Sequence, residues 1–265
     1  MPVSGDKIVF VGAGNMATRL ATALATKGCN IVQVYSRTEE SARLLANRLG
    51  DMVSYTTSVS EIVNDATLYI FALSDNALPD VIAQMQPNDA LWVHTAGSVP
   101  MDVFEHKCSR YGVLYPMQTL NKQREIDWLE VPIFVEASNE ADRTYLVELA
   151  QRLSQNVECC NSQQRQALHL AAVFACNFSN HMYAIAERLL LEHGIDFEVM
   201  KFLIRETERK AELLSPLEGQ TGPAVRNDHN VMSKHLALLG NTPEGELYRL
   251  ISENIGQYKS KNRMK

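Results

Sequence analysis

The fold is decided by the stretch Ile8-Val9-Phe10-Val11-Gly12-Ala13-Gly14-Asn15-Met16-Ala17. Four apolar residues typical of a buried strand lead into a Gly-x-Gly-x-x-Ala turn, and apolar residues at helical spacing follow over residues 15–27. Such a turn binds the pyrophosphate of a dinucleotide through close backbone approach and the free N–H groups of the helix start. We therefore expect cofactor contacts from Gly12, Gly14, Asn15, Met16 and Ala17. A glycine turn without a ligand would use the same pattern.

The first 160 residues repeat this alternation of short strands and helices. Helices are predicted over residues 15–27 and 39–49, after Asn139 as a cap, and from a capping box formed by Ser58 and Glu61. Strands separated by helices imply βαβ units and a doubly wound parallel sheet of the Rossmann type. The strands are predicted at residues 7–11, 31–35, 53–55, 68–73, 91–95, 113–115, 133–135 and 157–160.

The remaining chain has an all-helical pattern. Helices are predicted at residues 162–193, 197–214, 231–239 and 244–258, with a Pro- and Gly-rich loop at 215–228. Residues 168–176 are apolar nearly all round, so we expect them to be buried on every face, against other helices or a second subunit. The sequence thus predicts a nucleotide-binding domain over residues 1–160 and an all-α substrate and dimerisation domain over 161–265.

Composition excludes several classes of protein. Of the 265 residues, 46% are hydrophobic and 21% are charged, as in a folded globular chain. The formal charge of −6 argues against nucleic-acid binding, and no apolar run approaches the length of a membrane span. The five cysteines have no C-x-x-C spacing and the histidines have no metal-ligand spacing. We expect a cytoplasmic protein with reduced thiols, no bound metal, no nucleic-acid partner and no membrane segment.

The residues after the second predicted strand bear on the identity of the cofactor. An NAD site usually places Asp or Glu there, whereas this chain has Ser36, Arg37 and Thr38, with no acidic residue before Glu39. A guanidinium and two hydroxyl groups suit the 2′-phosphate of NADP. We therefore expect NADP rather than NAD. Alternatively, Arg37 only begins a solvated helix.

Small polar residues follow the next two central strands of the predicted sheet. Ligands bind over the carboxyl ends of such strands, so we expect Leu73, Ser74, Thr95 and Ala96 to line the nicotinamide. His94 is the candidate proton donor because its ordinary pKa is near neutrality, although it could simply bond to neighbouring backbone.

Further polar residues are candidates to face the substrate. Asn177, Asn180 and His181 share one face of the long helix, where they could hold substrate or cross-link helices. We assign Asn180 to the catalytic set with His94, and Ser98, Asn177 and Thr221 to substrate binding. The segment from Thr221 to Asp228, with Arg226, could close a small anionic site.

Several segments resemble a known superfamily. The turn at residues 12–17 after the strand 8–11 resembles pyrroline-5-carboxylate reductases and the related deazaflavin-dependent NADP reductases. Residues 93–98, 114–119 and 220–228 are similar to an uncharacterised branch that joins a Rossmann-like domain to a helical domain of unknown function. Tyr115 stands where that branch would carry histidine, and the reductases' Gly-Gly-Thr-Thr-like stretch is absent.

The resemblance implies hydride transfer from NADPH to a small imine or carbonyl bound between the two domains, with the long helices forming a homodimer interface. The absent Gly-Gly-Thr-Thr-like stretch means that pyrroline-5-carboxylate is not implied as the substrate. A non-catalytic nucleotide-binding sensor on the same scaffold is the alternative, because fold alone does not define function.

Overall fold

A computed structural model of the chain describes residues 5–119 and 126–262. The chain divides into two compact units, Met1–Asn177 and Phe178–Lys265. The division therefore falls within the predicted long helix, 17 residues after the boundary expected at residue 160.

The first unit contains an eight-stranded sheet in the order β3-β2-β1-β4-β5-β6-β7-β8. All neighbouring strands run parallel except β6 and β7, which are antiparallel. The strands are β1 Ile8–Val11, β2 Ile31–Tyr35, β3 Ser54–Thr56, β4 Leu68–Phe71, β5 Leu91–His94, β6 Arg110–Pro116, β7 Ile133–Ala137 and β8 Val157–Cys159. The prediction of a doubly wound sheet is confirmed, with one antiparallel pair that the sequence pattern did not indicate.

Helices cover both faces of this sheet. Side chains alternate along each strand, so Ile8 and Phe10 enter the core beneath one layer of helices, and Val9 and Val11 enter the core on the opposite face. A strand buried on both faces is expected to be apolar throughout, as β1 is. The helices of this unit are α1 Asn15–Thr26, α2 Glu39–Leu49, α3 Leu78–Gln84, α4 Glu140–Gln151 and α5 Ser162–Ala172. A π-helical segment, Val173–Phe178, follows and ends at the first residue of the second unit.

Two predicted helix caps have different outcomes. Asn139 caps α4 as expected, because its side chain accepts a hydrogen bond from the Asp142 N–H. The capping box at Ser58 and Glu61 is wrong. The segment Val59–Glu61 is a single 3-10 turn without a side-chain cap, and the Glu61 carboxylate accepts a hydrogen bond from Thr56 instead.

The second unit is helical and has little buried surface of its own. Its helices are α6 Ser179–Leu191, α7 Lys201–Leu213, α8 Pro223–Arg226, α9 His229–Leu239 and α10 Pro243–Asn262, with a 3-10 turn at Phe197–Met200. Of the residues of this unit whose burial is described, only Ala224 and Gly245 are buried. No helix in the described part of the chain is long and apolar enough to cross a membrane.

The apolar residues 168–176 are not enclosed by this chain. Leu170 is 59% exposed and Phe174 is 62% exposed, so the expectation that this stretch packs on every face against helices of the same chain is wrong. The other predicted partner, a second subunit, stays a prediction.

Candidate functional site

The turn between β1 and α1 requires glycine at its first position. Gly12 has φ of +124°, and a Cβ added there would lie 2.3 Å from the Ala72 carbonyl oxygen. Its N–H donates a hydrogen bond to the Tyr35 carbonyl at 2.8 Å, which ties the turn to β2. By contrast, a Cβ at Gly14 would meet nothing within 4 Å. The backbone at Gly14 is therefore open to a ligand.

The start of α1 has the charge and packing that a phosphate site needs. The helix is 12 residues long and has no acidic residue in its first turn, so nothing there opposes an anion. Ala17 is completely buried, which lets α1 pack closely on the sheet. Asn15 is exposed and Met16 is half-buried at the same end. These residues fit the pyrophosphate of a dinucleotide.

The carboxyl ends of four parallel strands meet at one edge of the sheet. Val11 is in register with Tyr35 and Phe71, and Phe71 with His94. The next residues continue the ladder, because Ala72 N–H donates to Val11 and Thr95 N–H to Phe71. The structure thus brings six of the predicted site residues to this edge, namely Gly12, Ser36, Leu73, Ser74, Thr95 and Ala96. Thr95 and Ala96 are buried there, whereas Leu73 is half-buried and Ser74 is exposed.

Arg37 lies just past the carboxyl end of β2. Its side chain is exposed, and among the described residues it makes no hydrogen bond or ion pair. Thr38 is the N-cap residue of α2, with no hydrogen bond from its side chain to the helix. Glu39 and Glu40 occupy the first turn of α2, which is the common place for acidic residues in a helix.

His94 is enclosed by protein. It is 0% exposed, and its ring stacks at a tilt against Phe104 with the ring centroids 5.7 Å apart. Its Nδ1 accepts a hydrogen bond from the Ala96 N–H at 3.2 Å, while Nε2 has no partner among the described residues. Burial, together with the charge of Arg165, lowers the pKa of His94 to about 3. The ring is therefore neutral at physiological pH, with its proton on Nε2.

Helix α5 holds the loop that follows β5. Its residues Ser162, Arg165, Gln166 and His169 share one face by spacing. Ser162 Oγ accepts from the Met101 N–H at 3.1 Å, Arg165 donates to the Val99 carbonyl at 2.5 Å, and Gln166 donates to the Ser98 carbonyl at 3.0 Å. The Ser98 hydroxyl donates in turn to the Asp75 carboxylate.

A buried ion pair anchors this face of α5 to the sheet. Arg165 is 0% exposed and pairs with Glu136 on β7. Glu136 also accepts hydrogen bonds from the Ser162 N–H and hydroxyl at 2.9 Å. Because each charged group has a partner at short range, the pair can remain ionised inside the protein.

The residue at the end of α5 that faces this edge is His169, which sequence reasoning missed. Its Nδ1 lies 3.2 Å from the Tyr115 hydroxyl, near the carboxyl end of β6, and the two rings are close to perpendicular. A Cβ added at Gly97 would lie 2.7 Å from the same nitrogen. The available signal was the spacing of the polar residues 162, 165, 166 and 169, which places them on one face of the helix.

The remaining predicted substrate residues belong to helical segments and a loop rather than to the strand ends. Asn177 belongs to the π-helical segment, Asn180 to α6, and Thr221 precedes α8; all three are exposed. Neither asparagine side chain makes a hydrogen bond among the described residues. Asp228 caps α9 by accepting from the Val231 N–H, and Arg226 is exposed.

A doubly wound sheet with a glycine turn at the β1–α1 junction defines a Rossmann-type protein. Residues 7–96 match the family described as NADP oxidoreductase, coenzyme F420-dependent, and residues 131–255 match a domain of unknown function, DUF2520. A Bacteroides fragilis protein provisionally described as an NADP oxidoreductase is 49% identical, with 95% of this chain and 98% of that chain aligned and a TM-score of 0.87. The chain therefore belongs to the family that joins an F420-dependent NADP oxidoreductase domain to a DUF2520 domain. The resemblance seen in the sequence is confirmed.

More distant structures share the fold. A Thermotoga maritima protein aligns over 97% of this chain and 99% of its own, with 19% identity and a TM-score of 0.70. A Plasmodium falciparum pyrroline carboxylate reductase, solved with NADP bound, aligns over 95% of this chain and all of its own, with 13% identity and a TM-score of 0.58. No curated protein matches the sequence.

Proposed function

We propose that the chain is an NADP-dependent oxidoreductase that transfers a hydride between NADPH and a small imine or carbonyl substrate. The observation that carries this proposal is the edge where the turn at Gly12, the cation Arg37 and the ends of β4 and β5 come together. When NADPH is bound, its nicotinamide supplies the hydride. The chain's own residues bind and orient the cofactor and the substrate, and they exchange the proton with the substrate. Family membership supports the same chemistry.

In this proposal Arg37 binds the 2′-phosphate of NADPH together with Ser36 and Thr38. Arg37→Ala should weaken NADPH binding by about tenfold or more and leave NADH binding nearly unchanged, because a charge-assisted hydrogen bond to phosphate is lost. Calorimetric titration with both cofactors measures this difference. Arg43→Ala is the matched control, since Arg43 is an exposed arginine further along α2. An equal loss for NADPH and NADH would contradict the assignment to the 2′-phosphate.

We assign the rest of the site as follows. Leu73, Ser74, Thr95 and Ala96 line the nicotinamide, and Ser98, Asn177, Asn180 and Thr221 face the substrate. The two asparagines support this because their exposed amides have hydrogen-bonding capacity to offer. Asn180→Leu should abolish turnover but leave NADPH affinity unchanged. If this variant loses its thermal stability or its NADPH binding instead, Asn180 has a structural role.

One observation favours the alternative, a non-catalytic nucleotide-binding sensor. His94, the acid suggested by the sequence, is buried and neutral, which makes it a poor proton donor to a substrate. NADPH binding without oxidation of NADPH in the presence of cyclic imines, 2-oxo acids and aldehydes would support the sensor.

We further propose that the protein is a cytoplasmic homodimer formed through its helical domain. The exposed apolar side chains of α6 and α7, among them Leu191 and Phe202, support the dimer because such surfaces are usually covered by a partner. All five cysteines lie among the described residues and are free thiols, which suits a reducing compartment.

A further inference from the structure

We propose that His169, paired with Tyr115, is the catalytic residue that exchanges a proton with the substrate. This inference rests on the proposed oxidoreductase function and names the acid that the function requires. The two residues come from different elements, β6 and α5, and meet at the carboxyl edge where the nicotinamide is assigned. His94, the other histidine near this edge, has no exposed surface.

The position of His169 is set by Tyr115, by Gly97 and by the anchoring of helix α5. Its Nδ1 lies 3.2 Å from the Tyr115 hydroxyl, and its ring lies against the Cα of Gly97, where any side chain would collide with it. Its own helix is fixed to the loop after β5 through Ser162, Arg165 and Gln166. A catalytic side chain held on rigid elements keeps its geometry as the reaction proceeds.

The pairing leaves one ring nitrogen for chemistry. With Nδ1 engaged by Tyr115, Nε2 is the nitrogen that can reach a substrate. Burial raises the pKa of Tyr115, so its hydroxyl stays neutral and can either donate to Nδ1 or accept from it. The pair therefore tolerates both the charged and the neutral form of the imidazole, which an acid that cycles between the two must do.

The proton and the electrons balance in this step. The carbon of the C=N or C=O group gains the hydride from NADPH, which leaves as NADP⁺. The π-electron pair moves onto the substrate nitrogen or oxygen, and a new N–H or O–H bond forms as the Nε2–H bond of the His169 imidazolium breaks. His169 becomes neutral and regains its proton from solvent.

The ionisable groups near Tyr115 are Arg165 on α5 and the Cys160 thiol, whose pKa is raised by burial. Arg165 is in turn paired with Glu136 on β7.

The test uses the full-length protein, NADPH and a panel of small cyclic imines, 2-oxo acids and aldehydes. His169→Ala should lower kcat by about 100-fold or more and abolish its fall with rising pH, while the Kd for NADPH stays within about twofold. Added imidazole should restore part of the rate to this variant. Tyr115→Phe should lower kcat by about tenfold and retain the pH dependence. His193→Ala, an exposed histidine after α6, is the control and should match the wild type.

The outcomes separate the two proposals. If the wild type does not bind NADPH, the oxidoreductase proposal fails and this inference fails with it. If the wild type oxidises NADPH and His169→Ala keeps its kcat and pH profile, only the inference fails. A loss of rate in His169→Ala that imidazole does not restore, with NADPH binding also lost, would show a structural role and overturn the assignment.

A second measurement does not need turnover. Diethyl pyrocarbonate modifies accessible imidazoles, and mass spectrometry locates the product. NADP⁺ should slow modification of His169 by about fivefold or more and leave His193 unaffected, because the nicotinamide would cover only the former. Equal modification of His169 with and without bound NADP⁺ would contradict its placement at the nicotinamide.

Discussion

Two histidines near the carboxyl edge of the sheet have opposite surroundings. His94 is completely buried and stacks against Phe104, whereas His169 is partly exposed and bonds to a tyrosine hydroxyl. Removing an imidazolium from water without an anionic partner is costly, so His94 stays neutral. The same ring type thus serves as packing at one position and, in our proposal, as an acid at the other.

The lowered pKa of His94 predicts a contribution to acid unfolding. In the unfolded chain His94 takes up a proton near pH 6.5, whereas in the folded protein it does so at about 3. Between these values the unfolded state binds more protons, so stability falls as the pH falls through that window. Relative to His94→Gln, the wild type should lose about 1.4 kcal/mol of unfolding free energy for each pH unit below 6.5. Urea unfolding at several pH values tests this, and parallel pH curves for the two proteins would contradict it.

Sequence reasoning succeeded where a single residue has one physical solution. Gly12 was predictable because a positive φ and a close carbonyl leave room only for glycine. The contact between Tyr115 and His169 was not, because it joins residues 54 apart in the chain. The surroundings of His94 include the ring of Phe104 and the charge of Arg165, whose positions a pattern of residue types does not reveal.

At the scale of elements, helix α5 shows how a cap and a polar face work together. Asn161 and Gln164 form a reciprocal capping box at its start. The sequence pattern predicted the same motif at Ser58, and that prediction is wrong. There the Glu61 carboxylate accepts a hydrogen bond from the Thr56 hydroxyl instead. Strand and helix bounds were predictable to within a residue or two in most cases. Whether a given Asn or Ser caps a helix was not predictable, because it depends on which nearby side chains form hydrogen bonds with the same groups.

The pair of Arg165 and Glu136 predicts a large effect of a small change. Glu136→Gln leaves the fully buried Arg165 without its anion, so the unfolding free energy should fall by about 3–5 kcal/mol. Glu136→Gln combined with Arg165→Met should recover a large part of that loss. Glu140→Gln is the control, because Glu140 pairs with Arg143 on the exposed side of α4 and should cost less than about 1 kcal/mol.

Urea unfolding of the four proteins measures these differences. A loss for Glu136→Gln no larger than that for Glu140→Gln would show that the buried pair does not anchor α5. The double variant distinguishes two causes of the loss. Both variants remove the attraction between the two side chains, but only Glu136→Gln alone leaves the charge of Arg165 buried without an anion.

At the scale of the whole molecule, the two units differ in how they bury apolar surface. The sheet unit has two large cores and one small one, whereas the helical unit leaves many large apolar side chains in contact with solvent. The helical pattern was predictable from sequence, but the lack of enclosure was not. A helix that is apolar on all sides requires a partner, and its sequence does not say whether that partner is in the same chain.

The exposed apolar residues predict self-association. The wild type should sediment as a dimer at micromolar concentration, and Phe174→Glu should shift it to the monomer, because a charge would be buried in the interface. Leu44→Glu is the matched control, since Leu44 on α2 of the sheet unit is 58% exposed and should leave the dimer intact. A wild-type monomer under these conditions would contradict the proposed assembly.

The short strands at the two edges of the sheet have a consequence for aggregation. The edge strands β3 and β8 contain only three residues each, and Glu158 is exposed in the middle of β8. A short edge with a charged side chain presents few unpaired backbone groups and disfavours the addition of a strand from another molecule. Concentrated protein should therefore resist amyloid-like growth along the sheet, and its contacts with other molecules should form through the apolar sides of the helices.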